Sequence, residues 1–147
     1  MAIAVRTART TWQGTLARGK GNVAGDTGAL GTLPVTWAAR TEEPGGMTSP
    51  EELAAAAHSS CFSMALALRL GEHDLTPERL DVSAAVTLDA VDGIPTVVSS
   101  AVRVEAAVDG VDEAAFQEII DEAAQLCPIS RLFAGAEVTV EAVLKSA

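Results

Sequence analysis

The chain has 147 residues, of which 48% are hydrophobic, enough to form the core of one domain without metals or structural disulfides. Its 20 acidic residues outnumber the 10 basic ones, and the formal charge of -10 would repel phosphate backbones and anionic lipid. We therefore expect a single domain over residues 1–147 that binds neither nucleic acid nor membranes.

The N-terminus lacks the long apolar segment of a secretory signal, and two cysteines are too few for a disulfide scaffold. The longest apolar run, residues 61–68, is far shorter than the roughly 20 residues that cross a bilayer. These features predict a soluble, cytoplasmic protein. In that compartment a pair of cysteines is more often redox-active than structural.

The first 40 residues predict short strands joined by tight turns. β-Branched and aromatic residues are interrupted by glycine clusters, as in residues 10–14 and 19–23. A further apolar segment, residues 33–39, ends at Arg40 and is followed by a polar loop over residues 41–46.

The best-defined element is a helix over residues 50–70. Ser49 and Glu52 form a capping box, Pro50 suits the first helical position, and Gly71 can end the helix in a left-handed conformation. Because the middle of this helix is apolar nearly all round, we expect it to be buried at the centre of the fold.

The next segment predicts a long antiparallel β-hairpin. Residues 82–88 and 97–108 are strand-like, and the Asp92-Gly93 pair between them is a strong hairpin signal.

A second helix and a last strand complete the chain. Asp112 and Glu113 begin a helix with apolar residues at helical spacing, which ends near Leu126 because the residue before Pro128 avoids the helical region. Residues 137–144 alternate like a half-buried strand.

Both cysteines lie within helix signatures instead of loops, which suggests chemistry. Cys127, just before Pro128, can cap a short helix whose first N–H groups stabilise a thiolate. Cys61 lies about three turns into the long helix, where apolar neighbours should raise the pKa of its thiol, so it needs a nearby cation. The alternative is that both thiols pack as small hydrophobic groups.

His58 lies three residues before Cys61 and could act as its base from the same helical face. The chain has no other element of a cysteine hydrolase, so we favour a hydrogen-bonded packing role for this histidine. His73 is expected to face solvent in a loop. A zinc site is disfavoured, because His58 is the only second ligand near either cysteine at metal-binding spacing.

Three separated segments carry a family signature: Trp12-Gln13-Gly14 with Arg18-Gly19-Lys20-Gly21, residues 49–66 around Cys61, and Cys127-Pro128-Ile129-Ser130. In these segments the chain resembles the OsmC/Ohr family, the osmotically inducible protein C and organic hydroperoxide resistance proteins. The segment around Cys61 resembles the OsmC branch more than the Ohr branch, because the Ohr branch usually has an aromatic residue at the position of His58. The resemblance covers nearly the whole chain. It implies an α+β, OsmC-like fold with antiparallel sheets packed around a long central helix that carries Cys61, in an intertwined homodimer.

The resemblance also implies roles for individual residues. Cys61 would be the peroxidatic thiolate and Cys127 the resolving thiol, beside a network of one arginine and one glutamate. Glu51 matches the glutamate; for the arginine we favour Arg18 and keep Arg40 as the alternative. An arginine can hold Cys61 as a thiolate and donate hydrogen bonds to the hydroperoxide oxygens.

The implied reaction converts an organic hydroperoxide into an alcohol and leaves a sulfenic acid on Cys61, which condenses with Cys127 to form a disulfide. No bound cofactor is implied; an external dithiol, a lipoylated protein or dihydrolipoamide, would reduce the disulfide.

Glu51 and Cys61 are about 15 Å apart along one helix at 1.5 Å per residue. We therefore expect each Cys61 to be served by Glu51 of a second subunit, in a homodimer.

Apolar residues near the two thiols could line a pocket that favours alkyl or fatty-acid hydroperoxides: Phe62, Met64, Leu126, Ile129, Leu132 and Phe133. The alternative is that they form plain core.

Competing functions are a small dimeric binding protein whose cysteines merely pack, and a redox sensor. For a sensor that acts on DNA the sequence offers neither a DNA-reading motif nor a basic face.

Overall fold

The computed structural model describes residues 1–145 and divides into two compact units. The first unit is Met1–Leu53 and the second begins at Ala54. The single domain predicted from the sequence therefore stays a prediction.

The first unit contains a three-stranded antiparallel sheet in the order β1-β2-β3, formed by β1 (Ala8–Gln13), β2 (Lys20–Gly25) and β3 (Thr32–Val35). Trp12 lies opposite Gly21 in the register of β1 and β2. A Cβ at residue 21 would lie 2.9 Å from the Trp12 ring, so the glycine makes room for the indole. The predicted short strands and tight turns are confirmed.

The apolar segment 33–39 is divided between β3 and a short helix, α1 (Trp37–Thr41). Thr36 caps α1, because its hydroxyl accepts a hydrogen bond from the Ala39 N–H at 3.1 Å. The helix directs Arg40 toward the rest of the first unit.

The long helix, α2 (Pro50–Glu72), begins where the sequence predicts. The Ser49 hydroxyl accepts a hydrogen bond from the Glu52 N–H at 3.1 Å, as in a capping box. The carboxylate of Glu52, however, accepts from the Thr48 hydroxyl at 2.6 Å, so only half of the box is formed in the expected way.

The end of α2 differs from the prediction. Gly71 lies within the helix, and Asp74 instead adopts the left-handed conformation with φ 58°. The Leu75 N–H bonds back to the Leu70 carbonyl at 2.9 Å, the pattern of a Schellman motif. The terminating role predicted for Gly71 is therefore wrong, because Asp74, three residues later, takes the left-handed conformation instead.

Only one face of α2 is buried within the second unit. Phe62, Leu66 and Leu70 are fully buried on that face. The opposite face presents an exposed stripe of small and apolar residues at helical spacing, made of Ala56, Ala57, Ser60, Met64, Ala67, Leu68 and Gly71. The expectation that α2 is buried at the centre of the fold is therefore met on one face only.

By length and composition, α2 could also cross a membrane, with a mean hydropathy of 1.3 over 18 residues. The sequence expectation that no segment reaches that length is wrong, because it counted only the uninterrupted apolar run. The core helix of a soluble protein has the same length and composition, so this property is weak evidence for a membrane span.

The second unit contains a three-stranded sheet in the order β4-β5-β6, formed by β4 (Pro77–Val91), β5 (Ile94–Val108) and β6 (Glu137–Lys145). Asp92 and Gly93 form the predicted hairpin turn, with φ angles of 52° and 77°. The α+β class is confirmed. One ladder departs from the antiparallel pattern, because β6 pairs with β5 in parallel and reaches it through a helical crossover.

Two helices form this crossover. The first, α3 (Glu113–Leu126), is capped by Asp112, whose carboxylate accepts from the Ala115 N–H at 2.8 Å. Its buried residues pack with the inner face of α2 and with β5, in a core that includes Phe116, Ile119, Ile120, Ala123, Val102, Val104 and Ala106. The second, α4 (Pro128–Leu132), follows after Cys127. The predicted start and end of α3 are confirmed.

Candidate active site

The two cysteines meet in the second unit. Cys61 is half-buried on α2, Cys127 is fully buried at the junction of α3 and α4, and both are free thiols. The two thiols are close neighbours, because Cys127 is one of the groups that shift the pKa of Cys61. Cys127 caps α4, with the Ser130 N–H pointing at its sulfur at 3.5 Å, so the predicted capping position is confirmed.

The surroundings of Cys61 disfavour its thiolate. Burial raises the pKa of the Cys61 thiol above its ordinary value, and the adjacent Cys127 raises it further. A hydrogen bond from the backbone of Ile129 acts in the opposite direction but does not outweigh burial. The prediction that apolar neighbours raise this pKa is confirmed, and a reactive Cys61 therefore needs a cation.

His58 is fully buried and has both ring nitrogens engaged. Nδ1 lies 2.6 Å from the Ser100 hydroxyl and Nε2 lies 2.7 Å from the Ser130 hydroxyl. The ring stacks on Phe133 with 5.1 Å between centroids, and burial lowers the pKa of the imidazole. Because neither nitrogen is free to take a proton from Cys61, the packing role is confirmed and the base role is disfavoured.

An apolar pocket of about 360 Å³ adjoins Cys61, lined also by Met64, Ala65, Leu68, Leu126 and Pro128. Of the six residues predicted for such a pocket, Met64 and Leu126 line it. Phe62 belongs to the core and Phe133 stacks on His58. Ala65 and Leu68 follow Cys61 by four and seven residues, so helical spacing could have identified them.

A second polar cluster lies in the first unit. The Arg40 guanidinium binds the Glu51 carboxylate in a bidentate manner, with Nη2–Oε1 at 2.7 Å and Nε–Oε2 at 3.1 Å. The guanidinium also lies 5.8 Å from the centre of the Trp37 ring. Arg18, in contrast, is exposed in the turn between β1 and β2.

Arg40 also lines an apolar pocket of about 360 Å³ in the first unit. Two tryptophans and several aliphatic residues form most of this pocket, among them Trp12, Leu16, Val23, Val35, Trp37 and Leu53. The predicted site residues thus come together as two pairs, Cys61 with Cys127 and Arg40 with Glu51. The pairs belong to different units, so the contact of an arginine with Cys61 stays a prediction.

Two hydroxyls of the site were not identified as functional in the sequence. Ser130 was part of the motif around Cys127, but Ser100 carries no sequence signal, because it meets His58 only through the pairing of β5 with its neighbours. The one sequence signal for such partners is His58 itself, because a buried histidine needs hydrogen-bond partners for its ring nitrogens.

Two neighbouring free thiols, one of them beside an apolar pocket, place the chain in the class of dithiol proteins. The sequence model of the OsmC-like protein family matches residues 43–143. The chain belongs to the OsmC family.

Individual relatives agree with this assignment. The chain is 44% identical to peroxiredoxin OsmC of Escherichia coli K12 over 135 residues, which are 92% of this chain and 93% of that protein. It is 32% identical to an organic hydroperoxide resistance protein of Xanthomonas axonopodis over 92 residues, 62% of this chain and 63% of that protein. The crystal structure of the Bacillus subtilis organic hydroperoxide resistance protein OhrB superposes with a TM-score of 0.71 at 27% identity, covering 95% of this chain and 98% of that one.

Proposed function

We propose that the protein is a peroxiredoxin-like enzyme that reduces organic hydroperoxides to alcohols, in defence against oxidative or osmotic stress. The observation that carries this proposal is the contact between Cys61, half-buried beside an apolar pocket, and the buried thiol of Cys127. The names of the relatives, a peroxiredoxin and organic hydroperoxide resistance proteins, support the same activity.

The proposed reaction has three steps. The Cys61 thiolate attacks the terminal hydroperoxide oxygen, the O–O bond breaks, and the alkoxide leaves as the alcohol after taking a proton. The Cys127 thiol then attacks the resulting sulfenic acid, forming the Cys61–Cys127 disulfide and releasing water. An external dithiol, which we propose to be of the lipoyl type, reduces the disulfide in the cytoplasm.

The pocket supports an organic substrate. Its lining beside Cys61 offers aliphatic side chains and a proline ring, which match an alkyl group better than they match hydrogen peroxide. We expect a higher kcat/KM for cumene hydroperoxide than for hydrogen peroxide. Equal values would remove the argument from the pocket.

We propose that Arg40 supplies the cation that Cys61 needs. The guanidinium is already oriented by the Glu51 carboxylate, and about 30% of its side-chain surface is exposed, which leaves it accessible to a partner. Arg18, which the sequence favours, is exposed in a turn and is the alternative to test. Since Glu51 and Cys61 are ten residues apart on α2, the ion pair would come from a second subunit.

The exposed stripe of α2 supports a homodimer. An apolar stripe along a 23-residue helix is costly to leave in water, and a second copy of the chain could cover it. We expect wild type to be a dimer in light scattering, and Ala57→Glu with Ala67→Glu to dissociate it. Ala114→Glu, exposed on α3, is the matched control. A wild-type monomer with full peroxidase activity would contradict the proposal.

Thiol counting tests the function directly. One equivalent of cumene hydroperoxide should consume both free thiols of the reduced wild type, and Cys61→Ser should lose none. Cys127→Ser should retain the first step and accumulate a sulfenic acid that dimedone traps. If wild type keeps both thiols, the cysteines merely pack and the alternative of a dimeric binding protein is favoured.

A further inference from the structure

The short helix α4 lies beside both sulfurs, and of its five residues Ile129 packs against the hydrophobic core. The backbone of Ile129 lowers the pKa of the Cys61 thiol, and the N–H of Ser130 points at the Cys127 sulfur at 3.5 Å. None of the five residues of α4 is fully buried, and Leu132 is 76% exposed. Apolar burial alone therefore gives this helix little hold on the core.

The imidazole of His58 connects α4 to the rest of the second unit. Its Nε2 reaches the Ser130 hydroxyl on α4 at 2.7 Å, and its ring stacks on Phe133 directly after α4. Its Nδ1 reaches the Ser100 hydroxyl on β5 at 2.6 Å. One side chain of α2 thus joins the central strand of the sheet to the segment that holds Cys127.

This connection is built at a cost that simple packing does not explain. His58 and Ser100 are both fully buried, so each polar atom needs a partner and loss of one leaves the other unsatisfied. An apolar side chain could fill the same space without hydrogen bonds. What the imidazole adds is a fixed direction for Ser130 and hence for the start of α4.

We propose that His58 is a positioning residue for disulfide formation, which holds α4 so that Cys127 stays within reach of the Cys61 sulfenic acid. The inference rests on the proposed peroxidase function and assigns His58 no proton transfer with Cys61. It concerns the second step only, in which the Cys127 sulfur bonds to the Cys61 sulfur and the sulfenic hydroxyl leaves as water.

If α4 is loosened, the sulfenic acid should persist. A second hydroperoxide molecule can then oxidise it, giving a sulfinic acid on Cys61 and a second molecule of alcohol. The positioning role therefore has a chemical signature, overoxidation of Cys61, which a general loss of stability would not produce while the first step stays normal.

The test uses rapid mixing of the reduced protein with excess cumene hydroperoxide. Mass spectrometry after dimedone or thiol-blocking quenches measures the rate of sulfenic acid formation, the rate of disulfide formation and the yield of sulfinic acid. The variants are His58→Phe, which keeps an aromatic ring, and Ser130→Ala, which keeps His58 and removes only the link to α4. The matched controls are His73→Gln, at the only other histidine, and Ser99→Ala, beside Ser100 on β5.

In both variants we expect sulfenic acid formation to stay within about 2-fold of wild type and disulfide formation to slow by about 10-fold, with sulfinic acid accumulating. Both controls should behave as wild type. If His58→Phe does not fold, Ser130→Ala decides the question. Unchanged disulfide formation, or an equal loss in both steps, would overturn the positioning role. Absence of sulfenic acid in wild type would instead overturn the proposed function, which is a distinguishable result.

Discussion

The two polar clusters of this protein differ in how deeply they are buried and in whether they carry charge. In the second unit, the His58 ring is completely buried and each of its nitrogens meets a serine hydroxyl. In the first unit, the Arg40–Glu51 pair is charged and remains partly open, with side-chain exposures of 30% and 11%. Neutral groups can be buried completely once they are hydrogen-bonded, whereas an ion pair pays a larger desolvation cost.

This difference supports different proposed roles for the two clusters. In the histidine cluster, both ring nitrogens are already hydrogen-bonded within the protein, so they are not free to bind a substrate. The arginine keeps an accessible positive charge on a guanidinium that Glu51 and Trp37 already orient. Of the two, we expect only the arginine cluster to lower the pKa of a thiol or to bind a hydroperoxide.

The largest expected effect comes from the arginine. Arg40→Lys keeps the charge but loses the planar fork, and we expect kcat/KM for cumene hydroperoxide to fall about 100-fold. Arg18→Lys is the matched control and should change kcat/KM less than about 3-fold, in line with exposed sites. Steady-state kinetics with dihydrolipoamide measure both. The reverse result would assign the cationic role to Arg18.

A smaller effect is expected at the carboxylate that orients this arginine. Glu51→Gln keeps the shape but replaces a charge-assisted contact with a neutral one, so kcat/KM should fall about 10-fold. The control is Glu52→Gln at the next residue, whose carboxylate accepts a hydrogen bond from the Thr48 hydroxyl and not, among the described residues, from an arginine; it should be close to wild type. Equal activity of both variants would show that Glu51 does not position Arg40 during turnover.

The smallest effect is expected for stability at the buried histidine. Burial lowers the pKa of His58, so below the ordinary histidine pKa of 6.5 the unfolded chain binds a proton that the folded chain does not. The free energy of unfolding should therefore decrease as the pH falls below about 6.5. Urea unfolding between pH 5 and pH 7.5, about the range in which histidine titrates, measures this slope.

His58→Gln is the variant for this measurement, because it removes the titrating group, and its slope over the same range should be shallower. His73→Gln, at the exposed histidine beside Glu122, serves as the comparison. If His58→Gln leaves the slope unchanged, the buried imidazole does not control the acid sensitivity of the fold.

Much of the secondary structure could be predicted because its signals are local. The cap of α2 at Ser49, the hairpin turn at Asp92-Gly93 and the cap of α3 at Asp112 each depend on residues within four positions. Cys127 before Pro128 similarly defined the start of α4. The end of α2 could not be predicted as well, because Gly71 and Asp74 offer two sites for the same turn.

The site was predicted less completely than the fold. The motifs identified both cysteines, Glu51 and two candidate arginines, and which of the two arginines serves Cys61 stays a prediction. The ion pair that favours Arg40 joins residues 11 apart through the turn from α1 to α2. Neither helix signature contains any sign of that pairing, because side-chain directions depend on how the loop between them folds.

By itself, the sequence determined the elements of this protein, the positions of its two thiols and the need of Cys61 for a cation. Only the tertiary structure decided which face of α2 is buried, that β6 runs parallel to β5, and that His58 meets hydroxyls 42 and 72 residues away. The physical reason is the range of the interactions. Caps and turns are selected by neighbours along the chain, whereas the partners of a buried polar group are selected by packing.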